Sequence, residues 1–442
     1  MTVEALTGAH AGTSENGDGV VSVSGDDTYE TARTFESLGV SPELTQALAN
    51  EGIVSAFPIQ ALTIADALAG RDVCGKAKTG SGKTLAFGVP LLQRAKATRD
   101  AQATRDAQGT RDAQGTRAPA RPARPLALVL LPTRELAVQV HDVLAPLAKQ
   151  LGLRAVAVYG GADIDRQVSK LRKGVDLVIA TPGRLIDLGD RGEVAVDQLE
   201  TLVLDEADRM ADMGFMPQVE WVLRRLDQAH QTLLFSATLD GAVDRLVKRY
   251  LTDPVFHEVA SSTQTVTLME HRFLQVHQMD KVKVAAAICR SQEKSLLFVR
   301  TKRGADRLVE NLQKEGVHAL AIHGDLRQAN RERALADFSN GSLSVLVATD
   351  VAARGLHIEG VDGVLHYDPP EDHKAYLHRS GRTARAGKAG VVVSLSLWNQ
   401  LVEMEVIQRR LGLRIPIVEM FSNDPRLADL AGWTPQPEES VL

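Results

Sequence analysis

The sequence predicts an α/β protein with two parallel-sheet domains in tandem. Short apolar runs alternate with helical patterns up to about residue 250, and the same alternation restarts after residue 260. Parallel strands need crossover helices, so this alternation is typical of a parallel sheet with helices on both faces. A glycine-rich loop between a strand and a helix, and a row of acidic residues after a later strand, support the same class.

The strand and helix predictions define the domain limits. In the first half, strands are predicted at Leu126–Leu131, Arg154–Tyr159, Asp176–Ala180, Thr201–Leu204 and Thr232–Phe235, and helices at Glu135–Gln150 and Asp163–Lys173. In the second half, strands are predicted at Arg272–Val276, Ser295–Val299, Ala319–His323, Ser344–Ala348, Gly363–Tyr367 and Gly390–Ser394, and helices at Lys281–Arg290, Gly304–Glu315 and Arg327–Phe338. We therefore expect domains over residues 34–251 and 268–415, a linker over 252–267, a disordered acidic tail over 1–33 and a short acidic tail over 416–442.

Composition and charge narrow the class of protein. Apolar residues make up 44% of the 442 residues, and no apolar run approaches the roughly 20 residues that span a bilayer. The net charge of −5 comes from the tails, because residues 1–33 hold six acidic residues and one basic residue and residues 421–442 hold four and one. The body is left at +3, so any nucleic acid would bind in a local groove. Cys74 and Cys289 are predicted to be free thiols in a reducing cytoplasm.

The glycine-rich loop Ala77–Thr84 predicts a phosphate site. Small residues let backbone N–H groups close around phosphate oxygens, and the start of the following helix adds partial positive charge. Lys83 would reach the outer phosphates, and the Thr84 hydroxyl would bind Mg²⁺. Ala77 stands where the usual pattern has Gly, so a glycine-rich turn without a ligand is the alternative for these residues alone.

Acidic residues follow the strand Thr201–Leu204 as Asp205-Glu206-Ala207-Asp208. A strand that delivers carboxylates at its C-terminal end, in the same domain as a phosphate loop, is typical of a nucleotide-hydrolysing site. Asp205 would hold Mg²⁺ directly or through water, and Glu206 would orient and deprotonate the attacking water. The alternative, an acidic loop without function, is disfavoured by the phosphate loop upstream.

Together these motifs resemble the DEAD-box ATP-dependent RNA helicases of bacterial type, over roughly residues 34–415. Asp205–Asp208 spells the motif that names the family, and the phosphate loop of the family begins with Ala. The other matching motifs are Phe35 with Pro58–Gln60, Pro132–Leu136, Gly160–Gly161, Thr181–Arg184, Ser236–Thr238, His323–Asp325 with Gln328 and Arg331, Ala348–Gly355, and His378–Arg379 with Gly381–Thr383. The resemblance implies two RecA-like domains that use ATP and Mg²⁺. It also implies an RNA-dependent ATPase that unwinds short RNA duplexes locally, or remodels RNA–protein complexes, by ATP-driven domain closure.

The resemblance also implies residue roles. ATP would be held by Phe35, stacked on adenine, by the Gln60 amide, and by Lys78, Thr79, Gly80, Ser81, Gly82, Lys83, Thr84 and Gly355. Catalytic roles are implied for Glu206, Lys83, Asp205 and His378, and for Arg382 and Arg385 as arginine fingers that face the same way on a helical turn. RNA contacts are implied for Thr133, Arg134, Gly161, Thr181, Arg184, Arg331, Thr349 and Arg354. Coupling between domains is implied for Asp208, Ser236, Thr238 and Arg379. Arg134 as an ion-pair partner of Glu135, and His378 as a plain surface histidine, are the alternatives.

The implied partner is RNA, single-stranded or in short duplexes, read through its backbone without sequence specificity. A cytoplasmic monomer without a membrane partner is expected, and ribosome assembly and mRNA decay are common tasks of the family in bacteria. An ATP-gated RNA clamp with little unwinding and a DNA-directed translocase are the rival functions. A strand-displacement assay and a test for DNA-stimulated ATPase activity would identify them.

Residues 97–125 interrupt the α/β alternation. They repeat the hexapeptide Ala/Gly-Thr-Arg-Asp-Ala-Gln and carry six Arg against three Asp, without an apolar face that could pack. We interpret them as a low-complexity surface insertion. A solvated spacer is the favoured role, and an auxiliary RNA-binding arm is the alternative.

His357 departs from the family pattern, which places Asp two residues after Gly355 to contact the ATP ribose. We therefore predict that nucleotide affinity is weakened or altered in this chain. Changing His357→Asp should shift the KM for ATP, measured beside the parent protein. An unchanged KM would contradict the prediction.

Overall fold

The structure, a computed structural model, describes residues 33–77, 80–108, 122–226, 230–239, 241–260, 269–326, 328–353, 358, 361–383 and 390–441, and the strands at 13–16 and 20–24. The side chains of residues 13–24, 105–108, 260, 328, 329 and 351 are not described. The chain forms two compact units, Met1–Ser262 and Thr263–Leu442. Within the described ranges, no helix combines the length and the apolar character needed to cross a membrane.

The first unit is built on a nine-stranded sheet in the order β1-β2-β9-β3-β8-β7-β4-β6-β5. Its strands are β1 Thr13–Asn16, β2 Val20–Ser24, β3 Val73–Lys76, β4 Ala127–Leu130, β5 Ala155–Val158, β6 Leu177–Ala180, β7 Thr201–Asp205, β8 Gln231–Ser236 and β9 Val255–Ala260. Its helices are Glu36–Leu38 (3₁₀), Pro42–Asn50, Pro58–Leu68, Lys83–Gln108, Arg134–Gln150, Ile164–Leu171, Pro182–Asp190, Ala207–Asp212, Met216–Leu223 and Gly241–Tyr250. Neighbouring described strands pair in parallel except for β1 and β2.

The second unit has a seven-stranded parallel sheet in the order β12-β13-β11-β14-β15-β10-β16. Its strands are β10 Met269–Gln275, β11 Ser295–Val299, β12 Ala319–Ile322, β13 Val345–Thr349, β14 Gly363–His366, β15 Gly390–Ser396 and β16 Ile417–Glu419. Its helices are Lys281–Arg290, Lys302–Lys314, Gln328–Ser339, Asp350–Ala353, His373–Ser380 and Leu401–Leu411, with 3₁₀ turns at Trp398–Gln400, Pro425–Ala428 and Pro437–Glu439. The predicted class, two α/β units with parallel sheets, is confirmed.

Each sheet is buried on both faces. Two apolar clusters, one on each side, cover the first sheet, and two others cover the second. Strands that are buried on both faces read as nearly continuous apolar runs, which explains why the central strands could be predicted. The helix Lys281–Arg290 and the strand Ser295–Val299 have their predicted bounds. The other predicted elements shift by up to three residues.

The three segments predicted to lie outside the domains contain ordered strands, and these predictions are corrected. The tail over residues 1–33 contains β1 and β2, where three valines favour an extended backbone. The linker over 252–267 contains β9, while residues 261–267 lie outside the described part. Asp72 explains β9, because its carboxylate accepts hydrogen bonds from Thr232 N and Thr252 N, both at 2.7 Å, and its carbonyl accepts one from Val255 N.

The predicted acidic tail over residues 416–442 is corrected in the same way. Its first residues form β16, which pairs with β10, and Ser440 returns to bridge Val418. The buried Arg272 donates from Nε to the Leu430 carbonyl at 2.8 Å and from Nη2 to the Ala431 carbonyl at 3.3 Å. The tail is therefore part of the second unit.

The insertion at 97–125 is fixed at both ends to one edge of the first unit. The helix Lys83–Gln108 runs into it, and there Arg99 pairs with Asp176. At the other end, Arg124 pairs with Asp197 at 3.1 Å and residue 123 bridges residue 194. Asp176 directly precedes β6, so the insertion joins the fold at the amino ends of the strands. Residues 109–121 lie outside the described part.

We predict that Arg272→Met lowers the free energy of unfolding of the second unit by about 1–3 kcal/mol, because two buried carbonyls lose their donor. Urea denaturation of the full chain measures the change. The matched variant Arg410→Met alters an exposed arginine of the same unit and should stay within about 0.5 kcal/mol of the parent. Equal effects of the two variants would contradict the structural role of Arg272.

Candidate functional site

The sheet order of the first unit sorts the predicted motifs into two groups. The carboxyl ends of β3, β8 and β7, which are neighbours, carry the phosphate loop, the Ser236–Thr238 loop and the Asp205–Asp208 row. The carboxyl ends of β4, β6 and β5, also neighbours, carry Thr133 and Arg134, Thr181 and Arg184, and Gly161. Because parallel strands end at one edge, the residues predicted to bind nucleotide (the nucleotide group) and those predicted to bind RNA (the nucleic-acid group) lie side by side at one edge of the sheet.

Two glycines and a glutamine set the conformation of the described end of the phosphate loop, residues 80–82. Gly80 and Gly82 have φ of 86° and 85°, a left-handed region that favours glycine. The Gln60 amide donates to the Gly82 carbonyl at 2.9 Å and accepts from the Phe57 N–H at 2.9 Å. A Cβ atom on Gly82 would lie 2.5 Å from Gln60 Nε2. Close packing of this loop therefore requires glycine at position 82.

A buried charge cluster lies beside the loop. The Lys83 ammonium is 3.1 Å from Glu206 Oε1 and donates to the Ala77 carbonyl at 3.1 Å. Arg209 Nε lies 3.2 Å from the other Glu206 oxygen. Lys83 and Glu206 are only 5% and 3% exposed. Glu206 is thus held between two cations. Arg209 was missed by the sequence reasoning, although its spacing of three residues from Glu206 on a helix was a usable signal.

The charges and the burial of this cluster shift the pKa values of Lys83 and Asp205. Burial alone would lower the pKa of Lys83, but the carboxylates of Glu206, Asp205 and Asp208 raise it above its usual range. Burial raises the pKa of Asp205 to about 7, against the opposing field of Lys83 and with the support of the Glu206 charge. A cation that bound Asp205 would displace this proton, so metal binding and proton release are linked here.

Glu206 has a strained backbone. Its φ of 54° and ψ of 47° place a non-glycine residue in the left-handed region, at a cost of about 1–3 kcal/mol. The Glu206 N–H donates to Asp205 Oδ1 at 2.9 Å, and the Asp208 N–H donates to Ser236 Oγ at 3.2 Å. The second of these bonds joins the loop after β7 to the end of β8. It brings together Asp208 and Ser236, two of the four residues predicted to couple the domains, and Thr238 follows on the same loop.

The residues predicted to hold Mg²⁺ are one hydroxyl and one carboxylate. Among the described residues, no group of three or more His, Cys, Asp or Glu side chains could form a metal cage. Mg²⁺ is commonly held by one or two carboxylates together with phosphate oxygens and water. Half-buried Thr84 and buried Asp205 fit this pattern, in which the nucleotide supplies the remaining ligands.

Phe35 and Gln60 are both engaged within the first unit, and their predicted adenine contacts stay predictions. Phe35 is 1% exposed and packs in the apolar core, so its ring offers no face for adenine in this conformation. The Gln60 amide is engaged with the phosphate loop and the Phe57 N–H, as described above, instead of pointing freely at a base. The sequence pattern could not show either contact, because both depend on tertiary packing.

The nucleic-acid group of the first unit gathers around the loop after β5. A Cβ atom on Gly161 would lie 2.6 Å from Arg134 Nη1, so this guanidinium lies against the Gly161 backbone. Arg184 Nη2 donates to the Ala162 carbonyl at 3.1 Å. Two arginines therefore flank one loop. Arg134 also pairs with Glu135 at 3.0 Å, so the alternative role foreseen for Arg134 occurs as well.

Two further members of this group lie at helix starts. Thr133 accepts from Leu136 N at 3.4 Å and caps the helix Arg134–Gln150, and Thr181 precedes the helix Pro182–Asp190. A helix start offers N–H groups and partial positive charge, which suit a phosphate backbone. Their predicted RNA contacts remain predictions.

In the second unit, Arg379 is engaged by residues of its own unit, and its predicted coupling role stays a prediction. Its guanidinium is 2% exposed and donates to both Asp350 oxygens, at 2.7 and 2.6 Å, and to the Asp368 carbonyl at 2.7 Å. The pair joins the motif at Thr349–Asp350, where β13 ends, to the helix His373–Ser380.

The segment predicted to carry the arginine fingers is described only in part, so their predicted geometry stays a prediction. The helix His373–Ser380 ends before Arg382, which lies in the following turn with its N–H on the Arg379 carbonyl at 3.3 Å. Half-buried His378 is in the last turn of the helix. Arg331 donates to the Ala352 carbonyl at 2.9 Å, close to Thr349. The predicted residues Lys78, Thr79, Arg354, Gly355 and Arg385, and the variant position His357, lie outside the described residues.

Comparisons with known proteins identify both units. Residues 57–246 match the family model described as DEAD/DEAH box helicase, and residues 280–387 match the helicase conserved C-terminal domain. The DEAD-box ATP-dependent RNA helicase CshA of Bacillus cereus is 40% identical over 378 residues, which are 85% of this chain and 68% of the relative. The CshA of Geobacillus kaustophilus is 39% identical over 378 residues, 85% of this chain and 76% of the relative.

A solved structure shares the fold. S. cerevisiae Dbp5 bound to RNA and ADP BeF3 superimposes with a TM-score of 0.69 at 28% sequence identity. The alignment covers 89% of this chain and 97% of the Dbp5 chain.

The raised pKa of Asp205 predicts a pH dependence of stability. The folded-state pKa lies above the usual 3.8, so the stabilising contribution of Asp205 is complete below about pH 4 and is lost as the pH rises through about 7. We expect the free energy of unfolding of the parent to fall over this range by on the order of a few kcal/mol relative to Asp205→Asn. Urea denaturation at several pH values tests this. Asp212→Asn, at an exposed position, should keep the parental pH profile, and parallel profiles for the parent and Asp205→Asn would contradict the prediction.

Proposed function

The chain belongs to the DEAD/DEAH box helicase family, and from this premise we propose that it is an RNA-dependent ATPase that unwinds short RNA duplexes locally or remodels RNA–protein complexes. The observation that carries this proposal is the adjacency of two groups at one sheet edge. The buried Lys83–Glu206 pair belongs to the nucleotide group, and the arginines around Gly161 belong to the RNA group. Two similar proteins support the proposal: CshA is named an ATP-dependent RNA helicase, and Dbp5 was solved with RNA and ADP BeF3 bound.

Lys83 is the residue that would respond to ATP. It is paired with Glu206 in this structure, and the outer phosphates of ATP would take over its ammonium group. The Glu206 carboxylate would then keep Arg209 as its partner through Oε2. Its Oε1 atom, released by Lys83, could accept a proton from water. Phosphate binding would thereby prepare the base that hydrolysis needs.

Thr84 and Asp205 would hold Mg²⁺, which neutralises phosphate charge as the bond to the outer phosphate breaks. Asp205 must be ionised for this role, and Lys83 and the metal both favour its ionised form. Gln60 would act on ATP chiefly by holding the Gly82 carbonyl, and so the shape of the phosphate loop.

RNA would be held through its phosphates and sugars. Arg134, Arg184 and the helix starts after Thr133 and Thr181 offer guanidinium and backbone N–H donors, which suit contacts to the RNA backbone. Arg331, Thr349 and Arg354 would extend this contact in the second unit. Binding without sequence specificity follows from such contacts.

Domain closure would complete the ATPase site. Arg382 and Arg385 would be supplied by the second unit as arginine fingers, a contribution that elsewhere is worth on the order of 10³–10⁵ in rate. RNA that binds both units would favour closure and so couple ATP hydrolysis to strand separation. His378, in the last turn of the helix His373–Ser380, would assist the arginine fingers in catalysis.

The cellular setting is part of the proposal. We propose a monomer that acts in the cytoplasm. Cys74 and Cys289 are free thiols, as is usual in a reducing compartment. Ribosome assembly and mRNA decay are the proposed tasks. The insertion is proposed to be a spacer, because it joins the fold at the amino ends of the strands, away from the edge that carries Arg134 and Arg184.

We predict that Glu206→Gln retains ATP and RNA binding but lowers the RNA-stimulated kcat by on the order of 10²–10⁴-fold, because the amide cannot accept the proton. Single-turnover ATP hydrolysis and equilibrium binding of fluorescent nucleotide and RNA would measure these effects. Identification of RNAs crosslinked to this variant in cells would then name the substrates.

Glu36→Gln, a matched change at an exposed position of the first unit, should hydrolyse ATP at the parental rate. Full ATPase activity of Glu206→Gln would show that another group is the base. A parent protein whose ATPase responds to DNA as strongly as to RNA would favour the rival translocase.

A further inference from the structure

A buried cluster under the helix His373–Ser380 holds residues that none of the predicted sites includes. At its centre is Tyr376, which is fully buried. The Tyr376 hydroxyl and His271 Nδ1 form a hydrogen bond of 2.7 Å, which joins the helix to β10. We call the set Tyr376, His271, Phe273 and His366 the tyrosine anchor.

The Tyr376 ring is held on two further sides. It stacks on Phe273 with 5.9 Å between ring centroids and an interplanar angle of 14°. It meets the His366 ring at 4.7 Å and 90°, and His366 Nδ1 lies 3.2 Å from Ser394 Oγ. Residues from β10, β14 and β15 therefore fix one side chain of the helix, which opposes both sliding and rotation.

Tyr376 lies one helical turn before Arg379, and Arg382 follows in the next turn. Arg379 follows Tyr376 by three residues, so the two side chains leave the helix on the same side. Arg379 forks onto Asp350, and Arg382 begins the next turn with its N–H on the Arg379 carbonyl. Any movement of the helix at Tyr376 would therefore be passed to Arg379 and Arg382.

We propose that Tyr376 is a positioning residue, whose hydrogen bond to His271 sets the place from which Arg382 is presented to the nucleotide. The inference rests on the proposed function, because Arg382 matters to rate only as an arginine finger. Groups that stabilise a transition state act within about 0.5 Å of the productive geometry, so a small shift of the helix is costly. A purely structural role of the bond is the competing explanation.

Tyr376→Phe in the full chain tests the proposal, because it keeps the ring packing and removes the hydroxyl. The expected result is a fall of about 10-fold in the RNA-stimulated kcat, with a change of less than about twofold in the KM for ATP. His271→Leu should give the same split, and the double variant should be no slower than either single variant, because both remove one bond. His271→Asn, which retains a hydrogen-bonding group near the Nδ1 position, should recover part of the kcat.

Ser422→Ala is the matched control. It removes a 2.7 Å hydrogen bond to Asp280 in the same unit, and neither residue belongs to the proposed catalytic or RNA-binding set. It should lower the thermal midpoint about as much as Tyr376→Phe and leave kcat unchanged. A Tyr376→Phe protein with lowered midpoint but parental kcat would overturn the positioning role. A parent protein without RNA-stimulated ATPase activity would instead overturn the proposed function, which the parent assay shows before any variant is made.

Discussion

Every pair of neighbouring described strands from β3 onward runs in parallel, and both candidate sites depend on that common polarity. In a parallel sheet, loops that are distant in sequence leave the same edge. The order β3-β8-β7 puts the phosphate loop beside the Glu206 loop, 123 residues later in the chain. The order β4-β6-β5 puts two arginines around Gly161. An antiparallel strand inserted in either run would move one loop to the opposite edge and dismantle the site.

Burial of charge is the energetic cost of this arrangement. Lys83, Asp205, Glu206, Asp208 and Arg209 are all buried, and ions in such a place cost several kcal/mol each unless they are paired. Mutual pairing offsets part of that cost. Burial nevertheless raises the pKa of Asp205, so the cost of burying its charge is not fully offset. The cluster therefore contributes little net stability, and its ion pairs are the interactions that the proposed nucleotide and metal would rearrange. The pair of Arg379 and Asp350 is different, because the guanidinium binds both carboxylate oxygens and fixes the helix His373–Ser380.

The sequence was sufficient for the parts of the structure that rest on local patterns. Buried strands such as Ser295–Val299 are continuous apolar runs, and the loop glycines and Asp205–Asp208 stand in an order that identifies the family. It was insufficient where long-range contacts decide. β9 depends on Asp72, which is 180 residues from Thr252, and the fork of Arg379 depends on Asp350, 29 residues away. Phe35 has the residue type of a stacking partner, but packing places it in the core, and no local pattern reveals that.

The way in which the insertion at residues 97–125 joins the fold bears on how the sequence of this protein can vary. Arg99 pairs with Asp176 and Arg124 pairs with Asp197, so both ends of the segment contact the same side of the first unit. Loop closure becomes only slowly more costly as a loop grows, by about 0.6 kcal/mol per doubling. A hexapeptide unit could therefore be gained or lost by replication slippage with little effect on folding, and lineages would differ in repeat number while the active edge stays constant. The same tolerance of length makes the segment a suitable place for a fluorophore or an affinity tag.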